Sequence, residues 1–285
     1  MSKKIIACVD GSILSEAVCD FGAFFSKTLG LSLELLHVVE HLHVSAQTDL
    51  SGNIGLGSRD DLLESLIDEE KSESKKAIVE GREMLSRLHE RALSQEAKAV
   101  KIVQKHGELY ENVQAQKEEI RLLILGLRGK DHESNVHAIG SQVEELIRTL
   151  NVPILLVNEA FFEPRKILIA YDGSPSSKKA IDMVVKEPLF NHVERHIVNV
   201  HKDKALSSFM LEEATHILET LSFSTLYTAS LQGEPIKELL NYQKEKSIDL
   251  IVMGAFSHSR IRDALFGSFT SKMILSTPKP LLLLR

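Results

Sequence analysis

The chain has 285 residues, 43% of them hydrophobic and 26% charged, a globular composition that excludes a disordered or fibrous protein. No apolar run approaches the roughly 20 residues of a membrane helix, and the apolar stretch from Ile5 to Val9 is too short for a secretory signal core, so a cytoplasmic protein with no membrane partner is expected. The net charge of −6 argues against nucleic acid as a partner, and Cys8 and Cys19 lack metal-ligand or disulfide spacing, which leaves burial as small hydrophobes as their expected role.

The first predicted element is a buried strand at about 4–9, running into Asp10-Gly11-Ser12 and then an amphipathic helix over Ser15–Leu29. A second strand is expected at about 32–38. Ser51-Gly-Asn-Ile-Gly-Leu-Gly-Ser58 reads as a loop. The charged segment from Asp60 to Arg91 has Leu62, Leu63, Leu66 and Ile67 at helical spacing and predicts one or two added amphipathic helices. Strands follow at about 99–104, 121–126 and 153–157, and Asn158 to Pro164 reads as a boundary. Beyond it, strands are expected at about 166–171, 195–200, 223–229, 249–253 and 280–284, with a helix over Pro235–Glu245.

These elements repeat. Lys4-Ile-Ile-Ala-Cys-Val-Asp-Gly-Ser12 matches Lys166-Ile-Leu-Ile-Ala-Tyr-Asp-Gly-Ser174 at an offset of 162. Three later matches follow in the same order: His106-Gly-Glu-Leu109 with Gln232-Gly-Glu-Pro235, Leu122–Gly126 with Leu250–Gly254, and Val152–Val157 with Lys279–Leu284. Their offsets of 126 to 128 place roughly 35 extra residues in the first copy, ahead of His106. The organisation expected is therefore a first domain over 1–160, carrying a helical insertion at about 45–95, and a second over 161–285. Alternating apolar strands and helices imply an α/β fold, with a parallel sheet covered on both faces in each domain. Such sheets bind ligands beyond the carboxyl ends of their strands, which directs attention to Asp10, Val38 and Gly126 and to Asp172, Val200 and Gly254. The apolar segments Pro153–Val157 and Pro280–Leu284 are suited to pair with one another, giving an intramolecular pseudo-dimer, since open edges invite aggregation. A further homodimer stays open.

After the fourth strand the first copy reads Gly126-Leu-Arg-Gly129 and, after ten residues, Gly140-Ser141. The second reads Gly254-Ala-Phe-Ser257 and, after nine, Gly267-Ser268-Phe269-Thr270. A glycine loop feeding a helix start offers free N–H groups and a positive dipole end to an anion. The tandem repeat, the strand-Asp-Gly-Ser opening and the G-x2-G-x9-G-(S/T) loop resemble the universal stress protein family across nearly the whole chain. That resemblance implies two doubly wound, Rossmann-like domains of the adenine-nucleotide α-hydrolase type, and ATP as the ligand, with or without Mg. Nucleotide-binding members hold the phosphates in this loop, place the first aspartate near the adenine, and use the end of the second strand against the base. Carried over, those roles fall on Asp172, Val200, Gly254, Ser257, Gly267, Ser268, Phe269 and Thr270 in the second copy. In the first they fall on Asp10, Val38, Gly126, Gly129, Gly140 and Ser141.

Each copy departs from the pattern. Ser257 replaces the second glycine in one, and the other has the longer spacing, with Gln142 and Val143 where Phe269 and Thr270 stand. From 126 to 148 the first copy has three basic and four acidic residues. From 254 to 275 the second has three basic and one acidic, and the more positive loop is expected to be the better phosphate site. Alternatives stay open: Asp10 and Asp172 as helix caps, the glycines as turn formers, and Ser12 and Ser174 as caps rather than nucleophiles. His37, His41 and His43, or His192 and His196, suit a metal poorly, having no H-E-x-x-H motif. His258, Arg260 and Arg262 either grip phosphate or face water. No Walker A loop, no G-x-S-x-G elbow and no general base are present, so an enzyme is not expected; slow ATP hydrolysis, which the family resemblance allows, is not predicted. The competing reading is a binding scaffold for a protein partner or an apolar ligand.

Overall fold

The computed structural model describes residues 3–39, 56–128, 139–186, 190, 192–219, 225–254 and 268–284; at 56–71, 185, 218, 219 and 268 only the backbone is described. In the first copy the order is β1 (Lys4–Cys8), α1 (Ser15–Leu29), β2 (Ser32–Val39), α2 (Leu56–Ser94), β3 (Lys98–His106), α3 (Leu109–Gln114), β4 (Ile120–Gly126), α4 (Ser141–Thr149) and β5 (Ile154–Val157). The second copy has β6 (Lys166–Ala170), α5 (Pro175–Lys186), β7 (Glu194–Val200), α6 (Lys204–Glu219), β8 (Leu226–Leu231), α7 (Pro235–Glu245), β9 (Leu250–Gly254), α8 (Ser268–Ser276) and β10 (Leu281–Leu284). Among the described residues no helix is long and apolar enough to cross a membrane.

The strands form one ten-stranded sheet in the order β3-β2-β1-β4-β5-β10-β9-β6-β7-β8. Every neighbouring pair is parallel except the central one, where β5 runs antiparallel to β10, with Leu156 opposite Leu281, Leu155 opposite Leu282 and Ile154 opposite Leu283. Two doubly wound halves thus meet back to back as a pseudo-dimer. The central strands read as unbroken apolar runs because helices cover both faces. One face packs Ile5, Leu35, Ile124 and Ile169 under Phe21 of α1, Leu85 of α2, Ala180 of α5 and Leu211 of α6. The other packs Leu36, Leu123 and Ile251 under Val113 of α3, Leu146 of α4, Leu239 of α7 and Met273 of α8.

Several local signals act as expected. Gly30 takes a left-handed conformation (φ 66°) and ends α1. Ser174 accepts from the Ser177 N–H at 3.2 Å and caps α5, with Pro175 as the first helical residue. Ser12 does not cap α1, because that helix starts at Ser15, with Leu14 at the N-cap position and no side-chain cap. The added helices expected in the first copy are one continuous 39-residue helix, α2, which is the same β-to-β crossover that the 16-residue α6 makes in the second. The insertion therefore lengthens an existing element. The strand expected at 223–229 is shifted to Leu226–Leu231; at a sheet edge fewer buried positions mark its register. Asn158, just past β5, donates through Nδ2 to the carbonyls of Thr277 (2.8 Å) and Lys279 (3.0 Å). Phe161 packs edge-on against Phe21 with ring centroids 4.9 Å apart. The stretch read as a boundary is thus docked onto both halves. Cys19 is buried, and burial, followed by the Asp20 carboxylate, pushes its thiol up to about 12, so it stays protonated and unreactive.

Candidate functional site

At the carboxyl end of β1 the chain must turn sharply into α1, and at the end of β6 into α5. Gly11 (φ 83°) and Gly173 (φ 76°) supply the left-handed residue for each turn. Asp10 Oδ1 accepts from the Ser12 N–H at 3.0 Å, and Asp172 Oδ1 accepts from the Ser174 N–H at 3.0 Å. Both aspartates therefore close Asx turns, with their side chains at the surface, rather than capping the helices. In the first copy Ser15 Oγ adds a second tie, accepting from the Gly11 N–H at 3.0 Å and donating to Asp10 Oδ1 at 3.2 Å.

Beneath each turn a side chain from the second strand holds the carbonyl that precedes the aspartate. His37 Nδ1 bonds the Val9 carbonyl at 2.9 Å, and Asn199 Nδ2 donates to the Tyr171 carbonyl at 2.7 Å. A carbonyl only accepts, so the Nδ1 of His37 carries the hydrogen. These two residues share the 162-residue offset of the aspartates, and that offset was the signal from which sequence reasoning could have found them. His37 stood out in the sequence only as a poor metal candidate, and His41 and His43 lie outside the described residues. His196 is held by the Tyr242 hydroxyl (2.8 Å) and Glu194 (2.8 Å). Among the described residues no group of three His, Cys, Asp or Glu side chains is placed to hold a metal ion.

The crossover helices form a wall over each turn in matching register. A Cβ on Gly11 would sit 3.6 Å from Met84 Sδ, and one on Gly173 would sit 3.5 Å from Met210 Sδ. Gly81 lies against the sheet so closely that a Cβ there would come within 2.5 Å of Gln104 Nε2 and 2.6 Å of His37 Nε2. Gly81→Ala is accordingly expected to push α2 off β2 and to cost about 2 kcal/mol, read by urea denaturation; an unchanged midpoint would show that the helix has room to move. At its amino end α4 starts after Gly140, which has an extended backbone (φ −56°, ψ 136°) and no side-chain cap. Its first N–H groups have no partner within the helix, and Ser141, Gln142 and Val143 of its first turn line the cleft described next.

These parts enclose a cleft of about 600 Å³ in the first copy. Asp10, Val38, Gly126, Gly140 and Ser141, from four separate segments, all line it, with His37 in its lining and α2 contributing Glu80, Glu83, Met84 and Arg87. Cys8 also lines it, its thiol pushed up by burial and then by Glu34 and Asp10. Gly129 lies outside the described residues. In the second copy Asp172, Val200 and Gly254 stand at the carboxyl ends of β6, β7 and β9, and Ser268, Phe269 and Thr270 open α8. Phe269 is on the surface and Thr270 is buried. Ser257, Gly267, His258, Arg260 and Arg262 lie outside the described residues.

Comparison with known proteins gives a consistent picture. The family model described as "Universal stress protein family" matches residues 1–158 and again 163–285. A universal stress protein of Synechocystis, Slr1230, is 30% identical over 289 aligned residues, covering 99% of this chain and 100% of that protein. The shorter universal stress protein YxiE of Bacillus subtilis is 28% identical and aligns over 98% of its own length with 42% of this chain. Among solved structures, a universal stress protein from Archaeoglobus fulgidus superposes with a TM-score of 0.73 at 19% identity, covering 100% of this chain and 99% of that one.

Proposed function

Since the chain belongs to the universal stress protein family and carries its module twice, we propose that it is a stress-response or regulatory protein that binds an adenine nucleotide. The observation that carries this reading is the convergence of Asp10, Val38, Gly126, Gly140 and Ser141 on one cleft at the sheet's carboxyl edge. An uncapped helix start beside a glycine gives a phosphate its N–H donors and dipole. The turn at Asp10 and the end of β2 give the base an edge to meet. ATP is the triphosphate expected, with or without Mg, and the more positive loop of the second copy favours that copy for it. The role is that of a binding protein rather than of an enzyme with efficient turnover.

The test is mass spectrometry of any nucleotide released from the purified chain on denaturation, followed by titration with ATP and AMP. Gly140→Glu puts a carboxylate where the first copy would hold phosphate, at a backbone geometry that accepts any residue. It is expected to lower that copy's nucleotide affinity at least 100-fold with unfolding unchanged. Gly267→Glu is the matching variant ahead of α8. Absence of any bound nucleotide, and of binding at millimolar concentration, would leave the scaffold reading in its place.

A further inference from the structure

Glu80 and Glu83, within one turn of α2, line the first cleft together with Asp10. Arg87 is the one Lys or Arg among the described lining residues, and Glu80 Oε1 also lies 3.8 Å from Lys76 Nζ in an exposed pair that solvent screens. The second copy is built differently at the same places. Met84 and Met210 contact the paired glycines alike, and Gly81 lies against Gln104 as Ser207 bonds Ser230 (2.7 Å), which sets the register of α2 on α6. In that register Glu80 corresponds to Leu206 and Glu83 to Phe209, which are 41% and 65% exposed. Arg87 corresponds to Glu213, whose carboxylate is paired with Lys178 at 2.6 Å. Two carboxylates in the first wall therefore stand where the second has uncharged groups, and Arg87 stands where the second has a carboxylate.

A cleft that offers a phosphate the amino terminus of α4 and sets Glu80 and Glu83 along its wall works against each further negative charge. AMP carries about two negative charges and ATP about four, and partly exposed carboxylates act on them over a Debye length of about 8 Å. We propose that the first cleft selects nucleotides by phosphate charge, taking the monophosphate in preference to the triphosphate, with Glu80 and Glu83 as the specificity-determining residues. This rests on the nucleotide reading given above.

The experiment titrates the full chain with AMP and ATP, with Gly140→Glu used to identify the first copy's share of binding. In the wild type that share binds AMP at least fivefold more tightly than Mg-free ATP, and the preference shrinks at 0.5 M salt. In the double variant Glu80→Gln/Glu83→Gln, ATP affinity rises at least fivefold while AMP affinity stays within twofold. A loss of packing would weaken both nucleotides together, so the ratio separates selectivity from damage to the fold. ATP bound as tightly as AMP by the wild-type first copy, or an ATP affinity untouched by the double variant, overturns the proposal while the nucleotide reading stands. Failure of every version to bind either nucleotide overturns both.

Discussion

Leu282→Asp is expected to cost more than about 4 kcal/mol and to send the chain into aggregates. Leu282 sits opposite Leu155 at the one antiparallel junction of the sheet, and both are buried to within 1%. Truncating such a leucine to alanine costs about 3 kcal/mol from lost burial and the cavity left behind. An aspartate adds the penalty of a carboxylate with no partner in an apolar layer. The damage also spreads, because each apolar cluster runs through both copies: Leu155 and Leu282 share one with Ile5 and Ile167. Wild type should therefore unfold in urea as one transition, and Leu282→Ala should separate it into two. A single unshifted transition for Leu282→Ala would show that the junction contributes little. Sedimentation of Leu282→Asp reports the aggregation that follows from two exposed apolar edges.

Arg91→Ala should cost about 3 kcal/mol, the expected loss when one partner of a largely buried ion pair is removed. The Asp20 side chain is 8% exposed and is gripped by Arg91 through Nε at 2.6 Å and Nη2 at 2.8 Å, with Gln95 Nε2 at 2.5 Å. This fork pins the last turns of α2 to α1. The guanidinium itself reaches the surface and also touches Glu16 at 3.2 Å, so its own desolvation is modest, while the Asp20 carboxylate, left with Gln95 and no countercharge, would bear the cost. Arg91→Lys should recover less than half, since an ammonium cannot make the paired contact. Urea denaturation of Arg91→Ala, Arg91→Lys and Asp20→Asn/Arg91→Met checks this. A loss under 1 kcal/mol for Arg91→Ala would place the pair among ordinary surface contacts. Since the same helix walls the cleft, nucleotide affinity in the first copy should fall alongside stability.

The helices at Ser15–Leu29 and Pro235–Glu245 were legible to the residue, because a glycine closes the first and a proline opens the second. The repeat carried the architecture: strands buried on both faces leave a strong apolar imprint, and the imprint occurs twice. Where one face is open the imprint weakens, and β8 slipped for that reason. The length of α2 was legible but its unity was not, since a charged helix that stands partly clear of the core lacks a continuous apolar stripe. Asp10, Val38, Gly126, Gly140 and Ser141 were readable as a set through the family resemblance and the strand ends. His37 was seen, but its carbonyl partner depends on which strand lies beside which. Glu80, Glu83 and Gly81 were hidden, because what a helical residue faces follows from the crossing of α2 over β2, which no local pattern encodes.

The junction of β5 with β10 has a bearing on how the protein is made. On the ribosome β5 emerges long before β10, with the whole second copy still to be translated between them. For that interval the nascent first half presents Ile-Leu-Leu-Val with one row of backbone groups unanswered and no charged gatekeeper inside the strand. Synthesis proceeds at about 5–20 residues per second, so the exposure lasts many seconds, longer than a small domain needs to fold. Until its sister strand arrives the first half keeps this apolar edge open, the condition under which unpaired strand edges invite aggregation.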